Sequence, residues 1–140
     1  MPIENVISPD KINACFEVYL ELRPHLENKK DFIKKVLLQQ QEGFQLAAIF
    51  EGEEAVAAIG FRFITTFAWG KILYIDDLTT KTHLHGKGYR TAPLDDAIKQ
   101  ANELHCNQVH LDSGYMRNKA HRLYLRYGFE LTSHHFSLKL

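Results

Sequence analysis

The sequence predicts a single α/β domain over residues 1–140, with a central mixed, mostly antiparallel sheet and helices on both faces. Three observations predict it. Apolar residues recur at helical spacing near both ends of the chain. From Phe44 to Leu78 the period changes to the alternation of strands, interrupted by two short turns. A strand–glycine loop–helix unit then follows, KILYIDDL leading through HLHGKGYRTAP into LDDAIKQANEL, with more strand after it. A chain of 140 residues buries roughly two-thirds of its surface on folding, enough for one core without staples.

Each element has its own signal. Ile3 to Ile7 reads as a short first strand. Ser8-Pro9 is an N-cap followed by proline at the first helical position. Ile12, Cys15, Phe16, Tyr19 and Leu20 continue at helical spacing until Pro24 closes that helix. Asn28 caps a second helix, with Phe32, Ile33, Val36 and Leu37 on one side. Phe44, Leu46, Ala48 and Phe50 alternate as strand residues do. EGEE (51–54) and AWGK (68–71) are turns, so residues 44–50, 55–67 and 72–78 form a three-strand antiparallel meander. The helix after the glycines is expected to start near Gly88 and carries Leu94, Ala97, Ile98, Ala101 and Leu104 on one side. Pro93 then falls just past the first turn and predicts a loosened helix start. NQVHLDS (107–113) is another strand, Asn118 to Tyr127 a last helix, and Gly128 its stop. FELTSHHFSLKL (129–140) reads as a final strand.

Composition narrows the function. Seventeen basic residues balance seventeen acidic ones, so the chain lacks the positive field of a nucleic-acid binder. No run approaches the ~18 apolar residues of a membrane span, and MPIENVISPDK carries no signal-peptide core. Cys15 and Cys106 form neither a metal pattern nor a disulfide framework, which points to reduced thiols and a cytoplasmic protein. The eight histidines include the pair His83 and His85 and the neighbours His134 and His135. None has companion ligands at familiar spacing, so no metal is expected.

The glycine loop is the chemical feature. A strand–loop–helix unit aims unpaired N–H groups and the positive end of a helix dipole at whatever lies beyond the helix start. Gly86 and Gly88 let the backbone approach a ligand closely. In this context the stretch YIDDLTTKTHLHGKGYRTAPLDDAI, together with AHRLYLRYGFE near the end, resembles the GNAT superfamily of acyl-CoA-dependent N-acyltransferases. The resemblance covers nearly the whole chain. It implies that two neighbouring parallel strands, 72–80 and 107–113, splay apart with acyl-CoA in the gap.

The resemblance also implies roles. The backbone of Leu78, Thr79 and Thr80 would pair with the pantetheine arm, and the Leu78 N–H would serve the developing oxyanion. The loop residues His85, Gly86, Lys87, Gly88, Tyr89, Arg90 and Thr91 would hold the phosphates, with Arg117, Asn118 and Tyr124 completing the acetyl-CoA site. Tyr124 stands where the family commonly has a tyrosine meeting the leaving sulfur. His85, Arg90, Pro93 and Arg117 depart from the family pattern. Asp76 and Asp77 are the candidates for handling the substrate ammonium or its proton. Adjacent strand residues point to opposite faces, so only one can face the cleft unless a bulge intervenes. The expected function is transfer of an acetyl group from acetyl-CoA to a primary amine of a small molecule or protein. The alternative is a GNAT-fold protein that binds acyl-CoA or a partner without catalysis. Acetyl-CoA and an amine acceptor are the expected partners, with no nucleic acid and no membrane, and a homodimer is open.

Overall fold

The computed structural model describes residues 2–84 and 87–140. Its elements are β1 (Glu4–Asn5), α1 (Pro9–Ala14), α2 (Phe16–Leu22), α3 (Lys29–Gln41), β2 (Gln45–Glu51), β3 (Glu54–Thr66), β4 (Gly70–Thr80), α4 (Thr91–Glu103), β5 (Gln108–Leu111) and α5 (Asn118–Tyr127). The sheet order is β1–β2–β3–β4–β5. The first four strands pair antiparallel, and β5 runs parallel to β4. The fold is therefore the mixed α/β arrangement that the sequence predicts.

The chain divides into two compact units, one ending at His110 and one over Leu111–Leu140. In the first, alternation along β2 divides the core. Leu46 and Ala48 join Ile12, Cys15, Phe16, Val18, Tyr19, Phe32 and Val36 of the first three helices. Ile49 joins a cluster with Val56, Ala57, Leu84 and the partly buried Tyr89 and Ala92, where α4 packs on the sheet. Residues 55–61 of β3 are all buried, as expected of a strand covered on both faces.

Two helix boundaries differ from expectation. The helix expected from Pro9 to Pro24 is two helices, because Cys15 donates its N–H to Ile12, three residues back, at 3.0 Å. That tighter bond interrupts the α-helical ladder. The helix expected near Gly88 is assigned from Thr91. Ala92 still donates to the Gly88 carbonyl at 3.1 Å, but the next bond, to Tyr89, is the one Pro93 cannot make. Pro93 thus lies in the first turn of α4, where a missing N–H costs little, and it is fully buried.

In the second unit, α5 buries Ala120, Leu123 and Tyr124. Gly128 ends it in the left-handed region at φ +97°, as a C-terminal glycine commonly does. The closing strand expected over 129–140 does not form: these residues belong to no strand. Alternating side chains only prepare a strand; the ladder also needs a free edge to pair with.

Gly60 is required by its neighbours. A Cβ there would lie 2.4 Å from the Phe44 ring and 2.8 Å from the Tyr19 hydroxyl. Gly60→Ala is expected to cost about 1–3 kcal/mol, the range for overpacking a core. Thermal melting checks this, and an unchanged melting temperature would mean that Phe44 gives way freely.

Candidate functional site

The site is organised by an irregularity in β4. Gly60 pairs with Asp77 and Phe61 with Ile75, so Asp76 is an extra residue in the ladder. Lys81 donates its N–H to the Val56 carbonyl at 2.9 Å. Antiparallel alternation then turns the backbones of 77 and 79 toward β3, and those of Leu78 and Thr80 toward the opposite side. At the other end of the strand Lys71 faces β5: Asn107 donates its N–H to the Lys71 carbonyl at 2.7 Å. Parity counted from Lys71 alone would spend the Leu78 N–H on β3. The bulge reverses it.

The strand next door completes the effect. β5 has only four residues and ends at Leu111, whereas β4 has eleven and runs to Thr80. With Asn107 level with Lys71, the parallel ladder has run out before Leu78. The backbone edge of Leu78 therefore faces a gap in the sheet. An extended chain that donates and accepts amide hydrogen bonds fits such an edge as an added strand, which suits a pantetheine arm. Thr79 has another task. Its hydroxyl donates to the Val18 carbonyl at 2.9 Å, tying α2 to β4.

The bulge also puts both carboxylates on the side of the first helices. Asp76 takes a two-pronged contact from Arg62, Nε to Oδ1 at 3.0 Å and Nη2 to Oδ2 at 2.6 Å. Arg62 in turn lies over the Phe44 ring, and the hydrogen bonds it donates to Asp76 raise its pKa. Asp77 accepts from Arg23 Nη2 at 2.8 Å and from the Tyr19 hydroxyl at 3.1 Å. Arg23 Nη2 also reaches the Asp76 carbonyl at 3.1 Å. Arg23 owes its place to Pro24, which bars the preceding residue from the helical region. It leaves α2 at φ −123°, ψ 74°. Sequence reasoning missed Arg23, Arg62 and Tyr19. The Arg-Pro dipeptide was a usable signal for Arg23, but Arg62 meets Asp76 only through the bulge.

The phosphate loop is described in part. His85 and Gly86 lie outside the described residues. Gly88 has φ +84°, a conformation that favours glycine. The Thr91 hydroxyl donates to the Gly88 carbonyl at 3.2 Å and steadies the turn. Lys87 is exposed, and Arg90 is half-buried at the N-cap of α4 with no side-chain cap bond. The Tyr89 ring packs on Ile49, Val56, Ala57 and Leu84, and its hydroxyl bonds Glu51. It anchors the loop to the sheet. Glu21 accepts from the Thr82 N–H at 2.8 Å and from its hydroxyl. Burial raises the Glu21 pKa, but the two Thr82 bonds outweigh it and lower the value overall.

In the second unit, Tyr124 is largely buried. The Phe129 ring meets it edge-on at 5.8 Å, and the Phe129 N–H donates to its carbonyl at 3.0 Å. Arg117 and Asn118 are exposed at the start of α5. The histidines are dispersed: His110 stacks on Trp69, His121 bonds the Gly114 carbonyl, and His134 bonds the Tyr115 hydroxyl.

The family model for the acetyltransferase (GNAT) family matches residues 11–129. The chain belongs to the GNAT family. A curated relative, the uncharacterised N-acetyltransferase YhdJ of Bacillus subtilis, is 28% identical over 96% of this chain and 95% of its own. Among solved structures, a transcriptional regulator from Bacillus halodurans C-125 superposes with TM-score 0.84 at 18% identity, covering 99% of both chains. An aminoglycoside acetyltransferase from an uncultured soil metagenomic sample, solved with sisomicin, superposes with TM-score 0.81 at 14% identity, over 99% of this chain and 95% of that one. These structures share the fold. GNAT membership implies acetyl transfer and the use of acetyl-CoA.

The buried groups under this site make a pH prediction. Burial pushes the Cys15 thiol from 9.0 up to about 12. Burial first, and then the charge of Asp77, hold the Tyr19 phenol well above 10.0. Both folded values exceed the unfolded ones, so both contributions are full below pH 9 and are lost as pH rises. Denaturant titrations are expected to show stability falling from pH 9 upward, and less steeply in Cys15→Ala combined with Tyr19→Phe. An equally steep fall in that variant would refute the assignment.

Proposed function

We propose that this GNAT protein transfers an acetyl group from acetyl-CoA to a primary amine, by direct attack of the amine in a ternary complex. The observation that carries the reading is the backbone edge of Leu78, turned away from β3 by the bulge and followed in the chain by the Gly88 turn into α4. The donor supplies an activated thioester. The N–H groups from Gly88 to Thr91 hold its phosphates, with Arg90 positioned to add a charged contact. As the amine attacks, a C–N bond forms and negative charge grows on the carbonyl oxygen, where the Leu78 N–H donates. The C–S bond then breaks, the nitrogen sheds a proton, and the thiolate gains one.

Each proton needs a route. An alkylamine with pKa about 10.4 is neutral in only about one part in a thousand near pH 7. Asp76 and Asp77 attract the ammonium and pass its proton through water, because arginines already engage both carboxylates. Tyr124, carried by the A-x-x-L-Y motif of α5, donates to the leaving sulfur. An unperturbed phenol near 10 is a weaker acid than a thiol near 8.5. Its part is therefore a hydrogen bond to the developing thiolate more than full proton transfer. Arg117 and Asn118 are proposed to reach the donor from the start of α5. The acceptor is a small-molecule or protein amine met by the first helices and the hairpin at Phe67 to Gly70. With charge balanced along the chain, nucleic acid is not the proposed partner, and the reduced thiols suit a cytoplasmic protein. The second reading, acyl-CoA binding without transfer, is favoured by the same arginine clamps on both aspartates.

Acetyl-CoA is expected to raise the melting temperature, since ligand at 100 times its Kd adds about 2.7 kcal/mol. Tyr124→Phe is expected to keep that shift while lowering turnover by roughly 10²-fold, the low end for a proton-handling group. Calorimetry and steady-state rates over an amine panel check both. Bound acetyl-CoA with no acetylated amine would select the second reading, and no binding at millimolar acetyl-CoA would defeat both.

A further inference from the structure

The two ion pairs beside the bulge differ in what they show to solvent. In the Arg23–Asp77 pair the arginine side chain is 43% exposed and the aspartate 14%. In the Arg62–Asp76 pair the two are nearly equal, 24% and 22%. A molecule arriving from solvent therefore meets a guanidinium at one end of the cluster and an aspartate with its arginine at the other. The two ends adjoin, because Arg23 Nη2 also donates to the Asp76 carbonyl at 3.1 Å.

These groups keep capacity to spare. Arg23 spends Nε and Nη2 on Asp77 and on the Asp76 carbonyl. Arg62 spends Nε and Nη2 on Asp76. Neither Nη1 takes part in those bonds, and a carboxylate oxygen accepts more than one donor. The cluster is also held still before any ligand arrives. The Tyr19 hydroxyl donates to Asp77 from the core, and the Phe44 ring lies against Arg62, 5.5 Å from its guanidinium carbon. Groups ordered in advance cost little to order on binding.

Charge then selects the ligand. Two arginines and two aspartates cancel, and Glu42 adds negative charge felt at Arg62. A polycationic amine would face both guanidiniums, and a purely anionic molecule would face the carboxylates. An ammonium and a carboxylate on one molecule satisfy both signs. Exposure sets the direction: the carboxylate falls to Arg23 and the ammonium to Asp76. An α-amino acid carries both groups on one carbon, which suits a guanidinium bonded to the backbone of the residue whose side chain takes the ammonium.

We propose that the acceptor is an amino acid, its carboxylate held by Arg23 and its ammonium by Asp76. The proposal rests on the acetyl-transfer reading and narrows its amine. The nitrogen loses a proton and gains the acetyl group, and the thiolate leaves and takes up a proton, giving an N-acetylamino acid and CoA. Arg23 is then a specificity-determining residue. The arginine clamps belong to the acceptor site and do not block it.

The test uses the full chain, acetyl-CoA, and matched acceptors: free L-amino acids, their α-amides, and the amines that lack the carboxyl group. At least one amino acid is expected to show a kcat/KM at least about tenfold above its amide and its amine, as loss of a charged hydrogen bond implies. Arg23→Gln is expected to raise the KM for that amino acid at least about tenfold and to erase the preference for acid over amide. Arg23→Lys, which keeps the charge, is expected to retain part of it. A merely structural Arg23 would change acid and amide alike, so a preference that survives Arg23→Gln would overturn the proposal. Amides and plain amines acetylated as well as the acids by the unaltered protein would overturn it too, while leaving acetyl transfer standing. Should no acceptor turn over, the transfer reading falls, and calorimetry with CoA present decides the recognition by itself. An amino acid that binds where its amide does not upholds it, and no binding of any amino acid overturns it.

Discussion

One extra residue in β4 is the constraint on which the site depends. The β3–β4 ladder is regular up to Ile75 and regular again from Asp77, with Asp76 inserted between. A backbone that spends alternate amides on alternate neighbours cannot absorb an added residue without changing parity. The parity change turns Leu78 away from β3, and the early end of β5 leaves it facing a gap. The same shift brings two adjacent carboxylates onto one side of the sheet. In a regular strand, one of them would point into the α4 side of the core.

The rest of the first unit holds that irregular strand in place. Arg62 and Arg23 grip the aspartates on either side of the kink, and Thr79 fastens the strand to α2. Tyr19 supplies a buried hydroxyl to Asp77 and fits only because Gly60 has no side chain. Pro24 ends α2 so that Arg23 swings toward the strand. Two carboxylates beside two guanidiniums make a locally neutral cluster. Removing any one member would leave a partly buried charge without its partner, which costs more than the pair contributes when intact.

The loop after β4 shows how departures from a family pattern can be absorbed. Proline at position 93 is costly in a helix interior. Here α4 is assigned only from Thr91, and Pro93 occupies the first turn, where its missing N–H forgoes a single bond, to the Tyr89 carbonyl. Tyr89 uses its ring to pin the loop against the β2–β3 core, so the turn at Gly88 is held from outside the ligand side. Arg90 stays half-buried at the helix start, where a cation faces the positive end of the helix dipole. A bound phosphate would resolve that repulsion.

The sequence by itself determined the element order, the meander, the caps at Ser8 and Asn28, the stop at Gly128 and the strand–loop–helix unit around Gly88. These are local matters: periodicity, capping chemistry and backbone freedom act over a few residues and can be read from them. It also singled out Asp76, Asp77 and Leu78 through motif resemblance. Only the tertiary structure decided that the two aspartates share a side, that Arg62 and Arg23 hold them, and that the Leu78 N–H points to the gap. Those outcomes hang on ladder parity, which one inserted residue reverses and no local signal marks. The last twelve residues show the same limit from the other side. Their alternation announces a strand, yet no ladder forms among the described residues, because strand formation is a property of two edges and a sequence pattern specifies only one.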